Sequence, residues 1–382
     1  LPASAIYSGG VDVEKLNSFL HIHKRIYFFI AVMSVLNALF YLLRPVKPIM
    51  TFIAETTLGI RVTVAAVFDL LPFSVAEVII LLSIAAVLFY LIKTVVGIIQ
   101  SPGKGTFIIK RFSFAVAAVL FVVLLFNLFL GASYYGTDFL DKSGISVEPT
   151  TIDKLYNTTK YFALKLSETS GNVKRDEHGV FSESVDDIFR RSSSIYDNSV
   201  ERFPFLEFRT NRPKKLLLSK LFSCLSYTGF YFPFTGEANI NIDSPGCFMP
   251  STIAHEMAHQ RGIAYEQEAN FVAIYVSINS GDPIYEYSGY LLAYVHLNNA
   301  LYKYDKQKYY EVYGLLNDEV KADLSYNNKY WERFEGPVSE VTDAVYDTFL
   351  KSYGQELGIQ SYGAVVDLLI AFYGESGRRS SI

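Results

Sequence analysis

Three long apolar runs crowd into the first third of this chain, and no other feature restricts its fold as much. Residues 26–43 carry no charge between Arg25 and Arg44. A second run spans residues 71–100 and is uncharged between Glu77 and Lys93. The third, residues 112–137, has no charged residue at all. An α-helix rises about 1.5 Å per residue, so about 20 apolar residues cross the hydrocarbon core of a bilayer. The runs therefore predict an N-terminal α-helical transmembrane bundle over residues 1–137, with three spans at about 26–43, 71–100 and 112–137. The stretch 51–69 is also apolar but holds Glu55, Arg61 and Asp69, which suits an interfacial or re-entrant piece better than a fourth span.

Charge divides the chain at the same place. Residues 1–135 hold ten Lys/Arg and five Asp/Glu, a net of +5, whereas the whole chain is −4, so the remainder carries −9. An acidic C-terminal region argues against nucleic-acid binding. Lys15, Lys24 and Arg25 precede the first span, and Lys93, Lys104, Lys110 and Arg111 surround the link between the second and third. Basic residues favour the cytoplasmic side, so an odd number of spans places residues 138–382 outside. Arg44, Lys47 and Arg61 in the outer loop run against this orientation. Glu77 reads as a capping or snorkelling residue rather than part of an ion path. The first apolar run lacks a small-residue cleavage site and reads as a retained anchor. Cys224 and Cys247 form no CxxC and read as free thiols, with a disulfide as the alternative.

Residues 138–382 read mainly as helices, at about 151–168, 182–198, 215–226, 285–303, 306–316, 338–352 and 361–373. Two aromatic, Gly- and Asn-punctuated pieces at 229–236 and 238–242 read as strands of a small sheet. The last six residues read as a disordered tail.

Chemistry is concentrated just after those strands. His255-Glu256-Met257-Ala258-His259 is an HExxH, followed by Gln260-Arg261-Gly262 and then Glu266-Gln267-Glu268-Ala269-Asn270. Residues four apart on a helix sit about 40° apart in azimuth and about 6 Å apart along the axis. His255 and His259 can therefore face one ion, with Glu256 on the neighbouring flank as a general base. Gly262 suits a helix end, because it tolerates positive φ. A second helix starting near Tyr265 would bring Glu266 back as the third ligand, with Glu268 in reserve and pointing the other way. Asn270, one turn beyond Glu266, is placed to support a ligating histidine by a hydrogen bond. The expected cofactor is one Zn2+ per chain.

At these motifs the chain closely resembles an uncharacterised bacterial family of membrane-anchored, zincin-like proteins, a domain of unknown function. The stretches that carry the resemblance are 71–74 (LPFS), 229–241 (GFYFPFTGEANIN), 255–262 (HEMAHQRG), 266–271 (EQEANF), 287–292 (YSGYLL) and 361–369 (SYGAVVDLL). The resemblance implies a multi-pass bacterial membrane protein whose residues 138–382 form a mainly α, α+β zincin-like domain outside the cytoplasm. The 266–270 piece is also similar to the ExxAD or ExxAN of gluzincin peptidases, which implies Glu266 as ligand and Asn270 as orienting residue. Six residues separate His259 from Glu266, fewer than in most gluzincins.

The function expected from these features is hydrolysis of peptides, or of protein segments close to the membrane, by metal-activated water with Glu256 as base. The alternative is a zinc-containing scaffold, binding or sensory membrane protein without turnover. Oxyanion donors are sought among His296, Tyr287 and Tyr290. Phe230, Tyr231, Phe232, Glu237 and Asn239 form the candidate edge strand against which a substrate would lie extended, the other reading being a covered core hairpin.

Overall fold

A computed structural model describes residues 13–209, 211–353 and 364–374. The chain divides into two compact units, Leu1–Pro45 with Ile80–Leu128, and Val46–Ile79 with Phe129–Ile382. Four helices are long and apolar enough to cross a membrane: α1 (Val13–Leu43) from Lys24 onward, α2 (Lys47–Phe68), α3 (Val75–Gln100), and α4 (Lys104–Phe126) with its continuation to Tyr135. Three of these match the expected runs; the fourth, α2, covers nearly all of the 51–69 stretch that Glu55, Arg61 and Asp69 set apart from them, and forms one continuous 22-residue helix.

The first unit holds α1, most of α3, and α4. Phe28, Leu82, Phe89, Ile92 and Ile99 all face outward, an apolar surface that lipid would cover. Inside, the Asn37 amide on α1 donates to the Leu120 carbonyl on α4 (3.0 Å) and accepts from the Asn127 amide (3.1 Å). Paired polar groups at an apolar helix contact bind the helices and pin their register. After Asn127 one turn widens to π geometry, Asn127–Gly131, before the short helix α5 (Ala132–Tyr135).

The second unit is built around helices. It contains α6 (Phe139–Ser143), α7 (Ile152–Thr169), α8 (Val185–Arg191), α9 (Ser219–Cys224), α10 (Met249–Gln260), α11 (Glu266–Asn279), α12 (Pro283–Tyr304), α13 (Lys306–Tyr313), α14 (Asp318–Glu332), α15 (Pro337–Ser352) and α16 (Ala364–Tyr373). The long stretch expected over 182–198 stops at Arg191 and goes on as 3-10 turns through Ser192–Ser194 and Asp197–Ser199. Serines at a helix end bond the local backbone and favour such turns. Helix α14 was not anticipated, although Asn317 caps it by accepting from the Val320 amide (3.1 Å). The expected tail lies outside the described residues.

α10, α11 and α12 pack side by side, with α7 on the far face of α12. Phe139, Phe162, Phe203, Phe271, Tyr285, Tyr287 and Tyr294 fill the core, which explains the aromatic richness of the chain. One fully buried acid, Asp323, lies beside Tyr287. Asp323 accepts from the Phe181 amide (2.7 Å), from Arg175 (3.0 Å) and from the Tyr287 hydroxyl.

A small sheet flanks α10. Its order is β1 (Lys214–Lys215), β3 (Glu237–Ile240), β2 (Gly229–Phe232). β1 runs parallel to β3, with Lys214 opposite Asn239, and β2 runs antiparallel, with Gly229 opposite Ile240. The start of α3 is tied to this sheet. The Glu237 carboxylate accepts the amides of Val75 and Ala76 (3.2 and 2.8 Å), and Ser74 donates to the Asn239 side chain (2.6 Å). Glu77 in turn accepts the amides of Leu217 and Leu218 just before α9 (2.9 and 2.8 Å).

Candidate metal centre

Local chain geometry assembles the site. Helix α10 ends at Gln260, the Gly262 backbone takes φ +84, and Tyr265 caps the start of α11, so Glu266 is its first residue. The turn folds α11 back along α10. His255 and His259 then point their Nε2 atoms at each other (3.1 Å), and Glu266 lies 3.2 Å from the first and 3.5 Å from the second. The rings stand nearly perpendicular, with centroids 4.7 Å apart. Zinc bonds of about 2.1 Å at tetrahedral angles hold donors about 3.4 Å from one another, so the three atoms could hold an ion of that kind. The Nδ1 of His259 contacts the Ile263 carbonyl (2.7 Å). That bond keeps the proton on Nδ1 and leaves the Nε2 lone pair for the shared point.

The electrostatics show how strongly the group is coupled. Burial pulls the His259 imidazolium down, but the Glu266 carboxylate outweighs it and brings the pKa to about 9. Burial pushes the Glu266 carboxyl up, and His259 and His255 hold it well below the usual carboxylate range. A divalent ion would replace the proton in this arrangement.

Glu256 is buried beside the histidines, and burial raises its pKa while both histidines oppose the rise. It lies against the edge of the sheet. A Cβ added at Gly229 would come within 3.0 Å of the Glu256 Oε1 and of the Asn239 carbonyl, so this position needs glycine. The remaining motif residues hold the frame. Gln260 donates to the Gly236 carbonyl in the β2–β3 turn (2.9 Å). Arg261 donates to the carbonyls of Leu206 and Met257 and lies 3.5 Å from the centre of the Tyr196 ring.

The other expected residues divide. Glu268 is not at the centre; it accepts the amides of Phe139 and Leu140 at the start of α6 (both 3.2 Å). Asn270 is buried, but its side-chain nitrogen has no protein partner and supports neither histidine. The Ile263 carbonyl does that work instead. Tyr287 is committed to Asp323, and Tyr290 packs on Phe162, so both belong to the core. His296 stands half-buried near His255, and burial followed by the His255 charge lowers its pKa to about 4. Phe230, Tyr231 and Phe232 lie on β2, which among the described residues pairs with β3 alone. Glu237 and Asn239 lie instead on central β3, where they fasten α3.

Two residues at the site escaped the sequence reading. Tyr346 on α15 donates to the Glu266 Oε1 (2.8 Å). Arg61 on α2 lies over the Tyr231 ring (5.8 Å), and that ring stacks on His259 (6.3 Å between centroids). An ionisable residue in an apolar helix was the available signal for Arg61. Tyr346, one of 28 tyrosines, offered none.

Fold and site together define a protein with four helices apolar enough for a membrane and a His–His–Glu group able to hold a metal ion. Residues 56–370 match the model of the family described as "Protein of unknown function (DUF3810)", and the chain belongs to that family. No curated protein and no solved structure matches it.

Proposed function

We propose that this protein is a membrane-anchored zinc metallopeptidase with a zincin-like catalytic unit. One observation carries the reading: three ligand-type atoms of His255, His259 and Glu266 converge at 3.1–3.5 Å, with a buried glutamate, Glu256, beside them. A bound Zn2+ would supply Lewis acidity, polarising a substrate carbonyl and acidifying a water. The raised pKa of Glu256 suits it to take a proton from the attacking water and pass it to the leaving amine. Edge strand β2 offers backbone groups to an extended peptide, which lays a scissile carbonyl beside Glu256. His296, close enough to feel the His255 charge, is the candidate donor for the developing negative charge on that carbonyl, while Tyr346 donates to Glu266.

The basic residues support an external site. With Lys24 and Arg25 on the cytoplasmic side, the cluster at Lys104, Lys110 and Arg111 is cytoplasmic too when α1, α3 and α4 span and α2 does not. That α2 groups with the catalytic unit rather than with α1 and α4 favours the same arrangement. Substrates are then external peptides or protein segments near the membrane. The test is Glu256→Gln in the full chain. Metal content should be kept and peptide turnover lost by at least about a hundredfold. Equal turnover would refute the mechanism. Peptide binding without turnover in wild type would favour a binding or sensory protein.

A further inference from the structure

Arg61 is a buried cation without a counter-ion. It is 3% exposed, yet its Nε and Nη2 have no hydrogen-bond partner, and among the described residues no carboxylate pairs with it. Its one polar contact is a long one, from Nη1 to the Tyr231 hydroxyl (3.4 Å). A guanidinium sealed from water without partners is costly, and a fold retains such a group where something anionic comes to meet it. An ionisable residue in an apolar helix points the same way.

The place of Arg61 is not incidental. Three residues on one side of α2 press on elements that build the metal centre. Gly262, which ends the ligand turn, faces Leu58 closely enough that an added Cβ would come within 3.3 Å. A Cβ at Gly236 would lie 2.7 Å from the Arg61 carbonyl and 2.8 Å from Ala65. Between these contacts the Arg61 side chain reaches Tyr231, on the edge strand whose first residue, Gly229, lies against Glu256 and whose third, Tyr231, stacks on His259. The free donors thus stand beside the strand along which a peptide would lie.

We infer that Arg61, with the Tyr231 hydroxyl, forms a carboxylate-binding subsite of this centre and selects peptides bearing a carboxylate near the bond to be cut. The inference rests on the peptidase reading above. A planar fork with two unpaired nitrogens fits a carboxylate in bidentate fashion, whereas neutral amides satisfy it poorly. The carboxylate comes either from a peptide C-terminus, making the protein a carboxypeptidase, or from an Asp or Glu side chain.

Binding can be read without turnover in the zinc-loaded full chain carrying Glu256→Gln. The probes are one degenerate hexapeptide pool as free acid, the same pool as C-terminal amide, and an amide pool enriched in Asp and Glu. Retention of each is measured by equilibrium dialysis and mass spectrometry. Either the free acid or the acidic amide pool should be retained about ten- to a hundredfold better than the plain amide, and adding Arg61→Gln should remove the preference. Arg61→Lys keeps the charge without the fork and should keep part of it. If the acidic amide pool is retained above the plain amide, the ligand is a side chain; if only the free acid is, it is the C-terminus. Equal retention of all three pools, or a preference that survives in Arg61→Gln protein with full metal content, overturns the subsite alone. Loss of the peptidase reading is seen separately, as no cleavage of any pool by the wild-type protein.

Discussion

Gly236→Ala is the sharpest test of the claim that α2 packs against the hairpin beside the candidate metal centre. Gly236 closes the β2–β3 turn at φ +66, its amide donating to the Phe232 carbonyl (2.8 Å). An L-residue there costs about 1–2 kcal/mol in backbone strain. The new Cβ would also meet the Arg61 carbonyl at 2.7 Å and the Ala65 Cβ at 2.8 Å. The first of these is backbone in mid-helix and cannot swing aside, so overpacking adds about 1–3 kcal/mol. The expected loss is about 2–5 kcal/mol, or a fall of roughly 5–15 °C in melting temperature for a unit of this size. The assay is thermal unfolding of the full chain in detergent. Ala65→Gly in the same chain removes one of the two contacts and should return about 1 kcal/mol of the loss, a coupling that a double-mutant cycle resolves. A Gly236→Ala protein within about 0.5 kcal/mol of wild type, with no coupling to Ala65, would refute the packing of α2 on the hairpin.

Other consequences can be checked more briefly. Tyr346→Phe removes a hydrogen bond to a ligand carboxylate and should weaken metal binding about ten- to a hundredfold in chelator competition; an unchanged affinity would show that the bond is idle. Burial, reinforced by Asp138, raises Glu268 from 4.5 to about 8. A group whose folded pKa lies above its unfolded value stabilises fully below the unfolded pKa, and that contribution fades as pH rises through the folded one. Wild type should therefore lose more stability between pH 5 and 8 than Glu268→Gln does, as read from denaturant midpoints, and parallel curves would count against a buried neutral Glu268.

Much of the site was legible because its geometry is local. The four-residue spacing of His255 and His259, the positive-φ need at Gly262 and the start of α11 at Glu266 are all consequences of helix geometry over a dozen residues. For the same reason Glu268 was expected to point away from Glu266, and it does. What escaped depends on contacts distant in sequence. Arg61 meets Tyr231 across 170 positions and Tyr346 meets Glu266 across 80, and no periodicity reports either. The edge strand was half legible: aromatic alternation marked β2, but only the pairing of β3 with both β1 and β2 shows that Glu237 and Asn239 are interior. The support expected from Asn270 is supplied by a backbone carbonyl, which carries no residue-type signal at all.

The central claim is that His255, His259 and Glu266 hold one zinc ion, and metal content tests it directly. Purified full-length protein should carry about one zinc per chain by mass spectrometry of the metal, and both His259→Ala and Glu266→Ala should lose it while Glu268→Gln keeps it. Wild-type protein that takes up no metal when zinc is offered, or a Glu266→Ala variant that retains it in full, would contradict the account.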